Sequence, residues 1–281
     1  MSRILIAGCG YVGSELARRA AAAGHEVFAL RRHADQLPGC ARTLQADLTR
    51  AESLRSLPER LDVVFYTAAA DETSEEAYRA AYLLGTRNLL ASLAQHGARP
   101  RFVFTSSTAV YAQSQGEWVD ETSETAPTHF TGKLLLEAEQ QVRRSGLDVV
   151  VLRLAGIYGP GRTSLLARVR DGLAEYSPGV VEYGNRIHRD DCAGALQHVG
   201  FAQRPDGLYV GADSAPVDRQ ELLRYLAERL GAPPPRPRTE PAPRRRGFSS
   251  KRCSNARLLA AGYAFEFPSF RDGYESLIQQ S

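Results

Sequence analysis

The chain has 281 residues, with 35 basic and 32 acidic side chains, a formal net charge of +3 and a hydrophobic share of 43%. This balance favours a soluble globular protein with a sizeable core over a disordered chain. No apolar run approaches the roughly 18–20 residues of a membrane span, and the four cysteines are scattered without a CxxC pair. We therefore expect a cytoplasmic protein that binds no membrane, holds no metal and carries no disulfide framework.

Strand and helix patterns alternate through the first half of the chain. Apolar runs predict strands at residues 3–7, 26–30, 41–46, 62–66, 101–105 and 148–154. Helical patterns separate them at residues 11–23, 75–95 and 130–144, and a glycine closely follows each helix. Repeated βα units with apolar strands are typical of a parallel sheet that helices cover on both faces. The predicted fold class is therefore α/β, a Rossmann-type doubly wound sheet.

The organisation of the chain changes after about Gly156. Glycine, proline and tyrosine become denser, and shorter helices are predicted at residues 163–174, 191–201, 218–230 and 255–261. We expect residues 1–156 to form a NAD(P)-binding Rossmann domain. Residues 157–281 are expected to form a smaller substrate-binding region that is interwoven with the sheet and is not an independent domain.

The excess positive charge is confined to one proline-rich stretch. Seven basic residues and one acid lie between Pro233 and Arg252. A nucleic-acid-binding protein more often spreads basic side chains over a whole face, with aromatic residues among them. We therefore expect no nucleic-acid partner. The stretch is either a solvated loop or a loop that closes over an anionic small molecule.

A glycine-rich turn lies between the first predicted strand and the first predicted helix. Residues 8–13 (GCGYVG) match the pattern GxGxxG. In this context the glycines permit a tight turn, close approach of a pyrophosphate to the backbone, and close packing of helix and strand. The sequence therefore predicts a dinucleotide site whose pyrophosphate lies against Gly8, Gly10, Tyr11, Val12 and Gly13.

The end of the second strand indicates which dinucleotide binds. An acid there would bind a ribose hydroxyl and favour NAD, whereas this strand ends in Arg31 and Arg32, and Asp35 comes several residues later. Two guanidinium groups suit a 2′-phosphate, so we predict NADP, with NAD as the alternative if both arginines are solvated. The ends of the third and fourth strands are expected to border the cofactor through Asp47, Leu48, Thr67, Ala68 and Ala69.

Several later segments resemble the extended and atypical short-chain dehydrogenase/reductase superfamily, also called the NAD-dependent epimerase/dehydratase family. The resemblance rests on residues 102–111 (FVFTSSTAVY), 129–137 (HFTGKLLLE), 153–162 (RLAGIYGPGR), 187–193 (IHRDDCA) and 253–263 (CSNARLLAAGY). It implies hydride transfer at a carbon that bears oxygen, in a small hydroxy or keto compound or a nucleotide sugar. It also implies a homodimer formed through the helices that begin near residues 75 and 130.

The same resemblance implies a catalytic set. The family uses a serine or threonine together with a Tyr-x-x-x-Lys-x-x-x-Glu helix, which assigns Ser107 and Lys133 and places His129 at the tyrosine position. Two interpretations stay open. Either His129 is the acid/base, or the site has lost redox catalysis and the protein is an NADP-binding regulator or sensor. Tyr82, where the family has asparagine, offers another phenol, although we expect it to serve packing.

Four residues are candidates for binding the substrate. Gly156 stands where nucleotide-sugar enzymes usually carry asparagine, which weakens that substrate class. Three cationic side chains, Arg162, Lys251 and Arg252, favour a nucleotide sugar because they could bind its diphosphate. We therefore expect an anionic small-molecule substrate, bound by Tyr158, Arg162, Lys251 and Arg252.

Overall fold

The computed structural model describes residues 1–33, 38–203, 207–238 and 250–280. The strands of these residues are β1 (Arg3–Ala7), β2 (Glu26–Arg31), β3 (Arg42–Gln45), β4 (Val63–Tyr66), β5 (Arg101–Ser107), β6 (Glu117–Val119), β7 (Val149–Leu154), β8 (Gly156–Tyr158), β9 (Glu175–Tyr176), β10 (Tyr183–Gly184), β11 (Arg186–His188), β12 (Leu208–Gly211), β13 (Val217–Asp218), β14 (Arg236–Pro237) and β15 (Lys251–Cys253). Within the described ranges, seven strands form the central sheet and the other eight form four pairs.

The described helices are α1 (Tyr11–Ala22), α2 (Glu75–Tyr78), α3 (Gly85–Gln95), α4 (Phe130–Arg143), α5 (Ser164–Arg170), α6 (Arg189–Phe201), α7 (Arg219–Leu230), α8 (Ala256–Ala260) and α9 (Phe270–Gln279). A π-helical segment (Arg79–Leu84) joins α2 to α3, and a 3-10 turn (Thr108–Val110) follows β5. None of the described helices is long and apolar enough to cross a membrane.

The central sheet is parallel throughout and has the strand order β12-β7-β5-β4-β1-β2-β3. Its inner strands are almost fully buried because helices cover both faces. On one face α1 and α6 pack through residues such as Leu16 and Val199, and on the other α3 and α4 pack through Leu93 and Val142. The predicted Rossmann-type α/β class is confirmed. The loops at the carboxyl ends of the strands open along one edge, where such sheets bind ligands.

One strand of the central sheet comes from the second half of the chain. β12 pairs in parallel with β7 at the edge of the sheet, so residues beyond Gly156 complete the structure that the first half begins. A third apolar cluster lies outside the sheet, where α5, α7 and α9 pack around Leu222, Phe270 and Leu277. The pair β8 and β11 links this cluster to the ligand edge of the sheet.

The helix predicted at residues 75–95 is interrupted in the structure. Between α2 and α3 the chain widens into the π-helical segment. The buried hydroxyl of Tyr66 donates to the carbonyl of Ala81 there, and Gly85 leaves room for the same hydroxyl. A single π-turn inside an α-helix often marks a functional site, and this one carries Tyr82 towards the cavity described next.

Candidate active site

A cavity of about 700 Å³ lies at the carboxyl edge of the central sheet. It runs across six strand ends, from β3 through β2, β1, β4 and β5 to β7. Neighbouring strands lie about 4.8 Å apart, so the cavity extends over roughly 24 Å. Its lining includes Gly8, Gly10, Tyr11, Val12, Arg31, Arg32, Asp47, Leu48, Thr67, Ala68, Ala69, Ser107, Tyr78, Tyr82, Thr131, Leu135, Ala155, Ile157 and Arg162.

The glycines of the turn after β1 have different roles. Gly8 has a φ of +85°, and a Cβ atom there would collide with the backbone of Ala68. A Cβ on Gly13 would lie 2.8 Å from the Thr67 hydroxyl, which donates to the Gly8 carbonyl at 3.0 Å. Around Gly10 the nearest atom to such a Cβ is 3.8 Å away. Gly8 and Gly13 therefore allow the turn to fold, whereas Gly10 leaves space for a ligand, as a pyrophosphate requires.

Charged groups surround the end of the cavity at β2 and β3, which we call the adenosine end. Arg31 and Arg32 both line it. Arg32 donates to both carboxylate oxygens of Asp71, at 2.6 and 2.8 Å. Burial opposes ionisation of Asp47, but hydrogen bonds from Thr49 outweigh this effect and hold the pKa of Asp47 below its usual range. Asp35 lies outside the described residues.

The other end of the cavity, at β5 and β7, is here called the reactive end. Ser107 lines it, and its hydroxyl accepts a hydrogen bond from the Ala109 amide at 3.1 Å. Thr131 and Leu135, one turn apart on α4, face the same space. Burial raises the pKa of Tyr82, which contributes a further phenol, to about 12.

A buried ion pair determines which face of α4 meets the reactive end. The Arg153 guanidinium donates to both carboxylate oxygens of Glu139, at 3.0 and 2.7 Å, and Ser106 donates to the same carboxylate at 2.6 Å. Glu139 is 2% exposed and Arg153 is 5% exposed. Arg153 also donates to the Tyr111 hydroxyl at 2.9 Å. Since burying a charge without its partner is costly, this pair holds α4 in one rotation about its axis.

The observed rotation of α4 differs by two residues from the one that the predicted catalytic alignment implies. The buried glutamate is Glu139, not Glu137, and counting the family spacing back from it puts Leu135 at the lysine position and Thr131 at the tyrosine position. Lys133 is exposed. It lies about 200° around the helix from Thr131, at 100° per residue, and it does not line the cavity that Ser107 lines.

His129 also lies outside the lining of the cavity, but it contacts a residue that lines it. It is the N-cap of α4, and its ring nitrogen Nδ1 accepts from the Thr131 amide at 3.4 Å. The same nitrogen lies 2.9 Å from the Thr131 hydroxyl. An imidazole and the hydroxyl of a residue that lines the cavity are therefore hydrogen-bonded.

The four predicted substrate residues separate into two groups. Arg162 lines the cavity at the sheet edge, and both Arg162 and Tyr158 line a neighbouring cavity of about 540 Å³. Lys251 and Arg252 line neither of these two cavities. Lys251 is buried with its ammonium 3.4 Å from the Tyr111 carbonyl, and burial lowers its pKa. Arg252 lies 5.0 Å from the rings of both Trp118 and Tyr183. Most of the predicted basic loop, residues 239–249, falls outside the described residues.

Among the residues that line the two cavities and that sequence reasoning missed are Thr131, Leu135 and Arg186. The signal for the first two was present, because two glutamates lie two residues apart on α4 and either could complete the family pattern. No sequence pattern singles out Arg186, which reaches the second cavity only because β11 pairs with β8.

The fold and the cavity together define a dinucleotide-binding protein of the Rossmann type. The sequence model of the NAD-dependent epimerase/dehydratase family matches residues 4–195, and the chain belongs to that family. A 3-diazoavenalumate denitrifying reductase of a Streptomyces species is 32% identical over 96% of this chain and 98% of its own length. Protein YeeZ of Escherichia coli K12 is 30% identical over 84% of this chain and 86% of its own.

A solved structure gives the same result. A candidate NAD-dependent epimerase/dehydratase from Methylobacillus flagellatus is 37% identical, covers 99% of this chain and 98% of its own, and superposes with a TM-score of 0.82. The family is described as that of NAD-dependent epimerases and dehydratases, and two of the relatives, the Streptomyces protein and a dTDP-4-dehydrorhamnose reductase of Mycolicibacterium smegmatis, are named as reductases. The expected membership of this superfamily is thereby confirmed.

Proposed function

We propose that this protein is an NADP-dependent oxidoreductase or epimerase that acts on a small hydroxy or keto compound. The observation that carries the proposal is that one cavity is lined by Gly10, Arg31 and Arg32 and also by Ser107 and Thr131. A nicotinamide cofactor bound there would supply or accept the hydride. NADP is favoured over NAD because two arginines line the adenosine end. The exposed Arg32–Asp71 pair is worth only about 0–1 kcal/mol, so a phosphate can replace Asp71.

The reactive end supplies the proton through a pair of residues. Ser107 holds the substrate oxygen by a hydrogen bond. In alcohol oxidation, the Thr131 hydroxyl takes the proton of the substrate hydroxyl while its own proton passes to the unprotonated Nδ1 of His129, 2.9 Å away. Reduction of a carbonyl reverses these transfers and starts from a His129 that has taken up a proton from water. The predicted set of Ser107, His129 and Lys133 thus becomes Ser107 and Thr131, with His129 acting through Thr131. Lys133 has no role in this scheme.

Oxidation of NADPH with a panel of small carbonyl compounds tests the proposal. Thr131→Val should lower turnover about 100-fold or more, the usual contribution of a positioned proton donor, whereas Thr131→Ser should retain most of it. His129→Asn keeps an efficient N-cap but lacks an imidazole, so turnover should fall while NADPH affinity stays the same. Lys133→Ala is the matched control on the same helix and should change neither turnover nor NADPH affinity. Loss of turnover in Lys133→Ala alone would contradict the scheme.

A second candidate function is that of an NADP-binding regulator or sensor. One observation favours it: Leu135 occupies the lysine position, and no lysine lines the described cavity. A sensor would bind NADPH and leave it unoxidised with every carbonyl in the panel. Turnover that depends on Thr131 would exclude this candidate.

We also propose a small-molecule, anionic substrate, a cytoplasmic location and a homodimer. All four cysteines are free, which suits a reducing compartment. The dimer would form through α3 and α4, and on α4 Leu136 is only partly buried within one chain. Light scattering tests the dimer: Leu136→Lys should yield monomers if this face is the interface, and an unchanged mass would exclude it.

A further inference from the structure

The second cavity lies directly beyond the reactive end of the first. It has a volume of about 540 Å³ and shares Ile157 and Arg162 with the cofactor cavity. Ser107 pairs in the sheet with Leu154, three residues before Ile157, so the two cavities meet close to the predicted site of hydride transfer. A substrate whose reacting carbon lies beside Ser107 would extend into this second space.

Arg186 contributes a positive charge to the second cavity. Its guanidinium packs over Gly184 and donates to the Gly184 carbonyl at 3.4 Å, and it also hydrogen-bonds the Tyr274 hydroxyl. Both partners are neutral. Among the described residues, no carboxylate lies within 4.0 Å of Arg186 to form an ion pair. Its side chain is therefore held in place while its charge remains unpaired.

Arg162 contributes a second positive charge in the same manner. Its guanidinium carbon lies 4.1 Å from the centre of the Tyr11 ring, within the range of a cation–π contact. The Tyr11 hydroxyl in turn donates to the Pro160 carbonyl at 2.9 Å, which fixes the ring. Arg162 likewise takes part in no ion pair in the described ranges. Side chains already held in place lose less freedom when a ligand binds.

The rest of the lining is neutral, so no residue of the cavity wall compensates the two arginine charges. Besides Arg162 and Arg186, the cavity is formed by apolar, hydroxyl-bearing, amide and glycine residues, including Tyr158, Thr163 and Ser164. Asp213 interacts electrostatically with Arg186, but it is 1% exposed and does not line the cavity. Burial raises the pKa of Asp213 to about 7, so this carboxyl offsets Arg186 only in part near neutral pH.

We propose that the second cavity binds an oxyanion, a carboxylate or a phosphate, that the substrate carries next to its reacting carbon. Guanidinium groups bind both oxyanions through paired, charge-assisted hydrogen bonds. This inference rests on the proposed function for its position beside the hydride-transfer site. It narrows the substrate class to hydroxy or keto compounds that bear an acid group.

The test measures binding without turnover, in protein saturated with NADPH. Benzoate, phenyl phosphate and the neutral benzamide are titrated by calorimetry into the wild type, Arg162→Gln, Arg186→Gln and the control Arg170→Gln. Arg170 is exposed at the end of α5 and does not line the cavity. We expect an anionic probe to bind at least about 10-fold more tightly than benzamide. Arg162→Gln and Arg186→Gln should each remove most of that difference, and Arg170→Gln should not.

Each outcome supports or overturns the proposal. Tighter binding of phenyl phosphate than of benzoate, with the same dependence on both arginines, would assign a phosphate; the reverse order would assign a carboxylate. The absence of binding by all three probes, or equal losses in Arg170→Gln, would overturn the subsite. If Arg162→Gln weakens NADPH and leaves benzoate unchanged, Arg162 serves the cofactor and the subsite as proposed is wrong. Failure of the proposed function would instead appear as bound anion and NADPH without turnover.

Discussion

The two ends of the cofactor cavity are built in different ways. At the adenosine end and along the glycine turn, the site consists mainly of backbone, small residues and strand ends, such as Gly8, Gly10 and Ala68. At the reactive end it consists of side chains on one face of α4, such as Thr131. The end of a strand has a fixed place in a parallel sheet, whereas the residues that a helix presents to a cavity depend on its rotation. A shift of two residues in a sequence alignment returns to the same face of a strand but moves about 200° around a helix.

The rotation of α4 is set at a distance from the cavity. Glu139 lies two turns beyond Thr131 and binds Arg153 of β7 and Ser106 of β5. Burying an ion pair contributes little net stability, but removing one partner is strongly destabilising. The position of Thr131 at the reactive end thus depends on a buried ion pair in the core, whereas the adenosine end is formed by the strand ends themselves.

The largest effect is expected when this pair is broken. Arg153→Met would leave Glu139 buried without its cation and should lower the free energy of unfolding by about 3–5 kcal/mol, measured by urea denaturation. Glu139→Leu combined with Arg153→Met should recover much of this loss, because no charge then remains buried. Lys133→Met, on the exposed face, should stay within about 0.5 kcal/mol of the wild type. Equal losses for Lys133→Met and Arg153→Met would show that α4 is rotated differently.

A second effect concerns a buried acid beside the second cavity. Burial raises the pKa of Asp213 from 3.8 to about 7, Arg186 and the Ala215 amide partly oppose this, and Asp191 and Asp272 add to it. Between these pH values the folded protein retains a proton that the unfolded chain releases, so wild-type stability falls as pH rises from about 4 to about 7. Asp213→Asn has no such carboxyl, so its free energy of unfolding at pH 8 should exceed that of the wild type by about 2–4 kcal/mol.

Urea denaturation at pH 4 and pH 8 checks this prediction. Asparagine can keep the hydrogen bond that Asp213 Oδ1 accepts from Ala215, so the local turn should persist. The stability difference between Asp213→Asn and the wild type should nearly vanish at pH 4. A difference of the same size at both pH values would indicate altered packing and would remove the carboxyl from the explanation.

Much of the fold could be predicted from sequence because the signals are local, and the residues predicted to border the cofactor at the glycine turn and the strand ends, apart from Gly13, line one cavity. The strand and helix periods and the glycine turn each depend on neighbouring residues, and the structure confirms the α/β class they indicate. The reactive end required a choice between Glu137 and Glu139, which depends on contacts with β5 and β7. The π-helical segment depends on the Tyr66 hydroxyl from another strand. Such long-range contacts have no local pattern.

The glycine turn offers a direct test of the adenosine half of the comparison. A methyl group on Gly10 meets no atom closer than 3.8 Å, so Gly10→Ala should leave the thermal unfolding temperature unchanged. The methyl would occupy the ligand space, and NADPH affinity should fall about 100-fold or more, measured by fluorescence titration. Gly8→Ala is the contrasting variant and should destabilise the fold, because its φ is +85° and Ala68 blocks the added methyl. Unchanged NADPH affinity in Gly10→Ala would place the cofactor elsewhere.

Cofactor choice is the next effect in size. Arg31→Gln combined with Arg32→Gln should weaken NADPH binding about 10–100-fold, because charge-assisted hydrogen bonds to the 2′-phosphate are lost. NADH affinity should hardly change. Arg42→Gln is the matched control, since Arg42 is an exposed arginine of the neighbouring strand β3 that pairs with Glu26 and does not line the cavity. If the double variant weakened both cofactors equally, the arginines would contact a group that NAD and NADP share.

The smallest effect tests how the adenosine end is held before the cofactor binds. Asp71 competes with a phosphate for Arg32, in a pair whose side chains are 52% and 68% exposed. Asp71→Asn should therefore raise NADPH affinity about 2–5-fold, in line with the worth of an exposed ion pair, without changing NADH affinity. Glu72→Gln removes a neighbouring exposed charge that does not line the cavity and should have less effect. An equal rise in NADPH affinity in both variants would show that the effect comes from the overall charge of the surface. A fall in NADPH affinity in Asp71→Asn would show that Asp71 positions Arg32 for the phosphate.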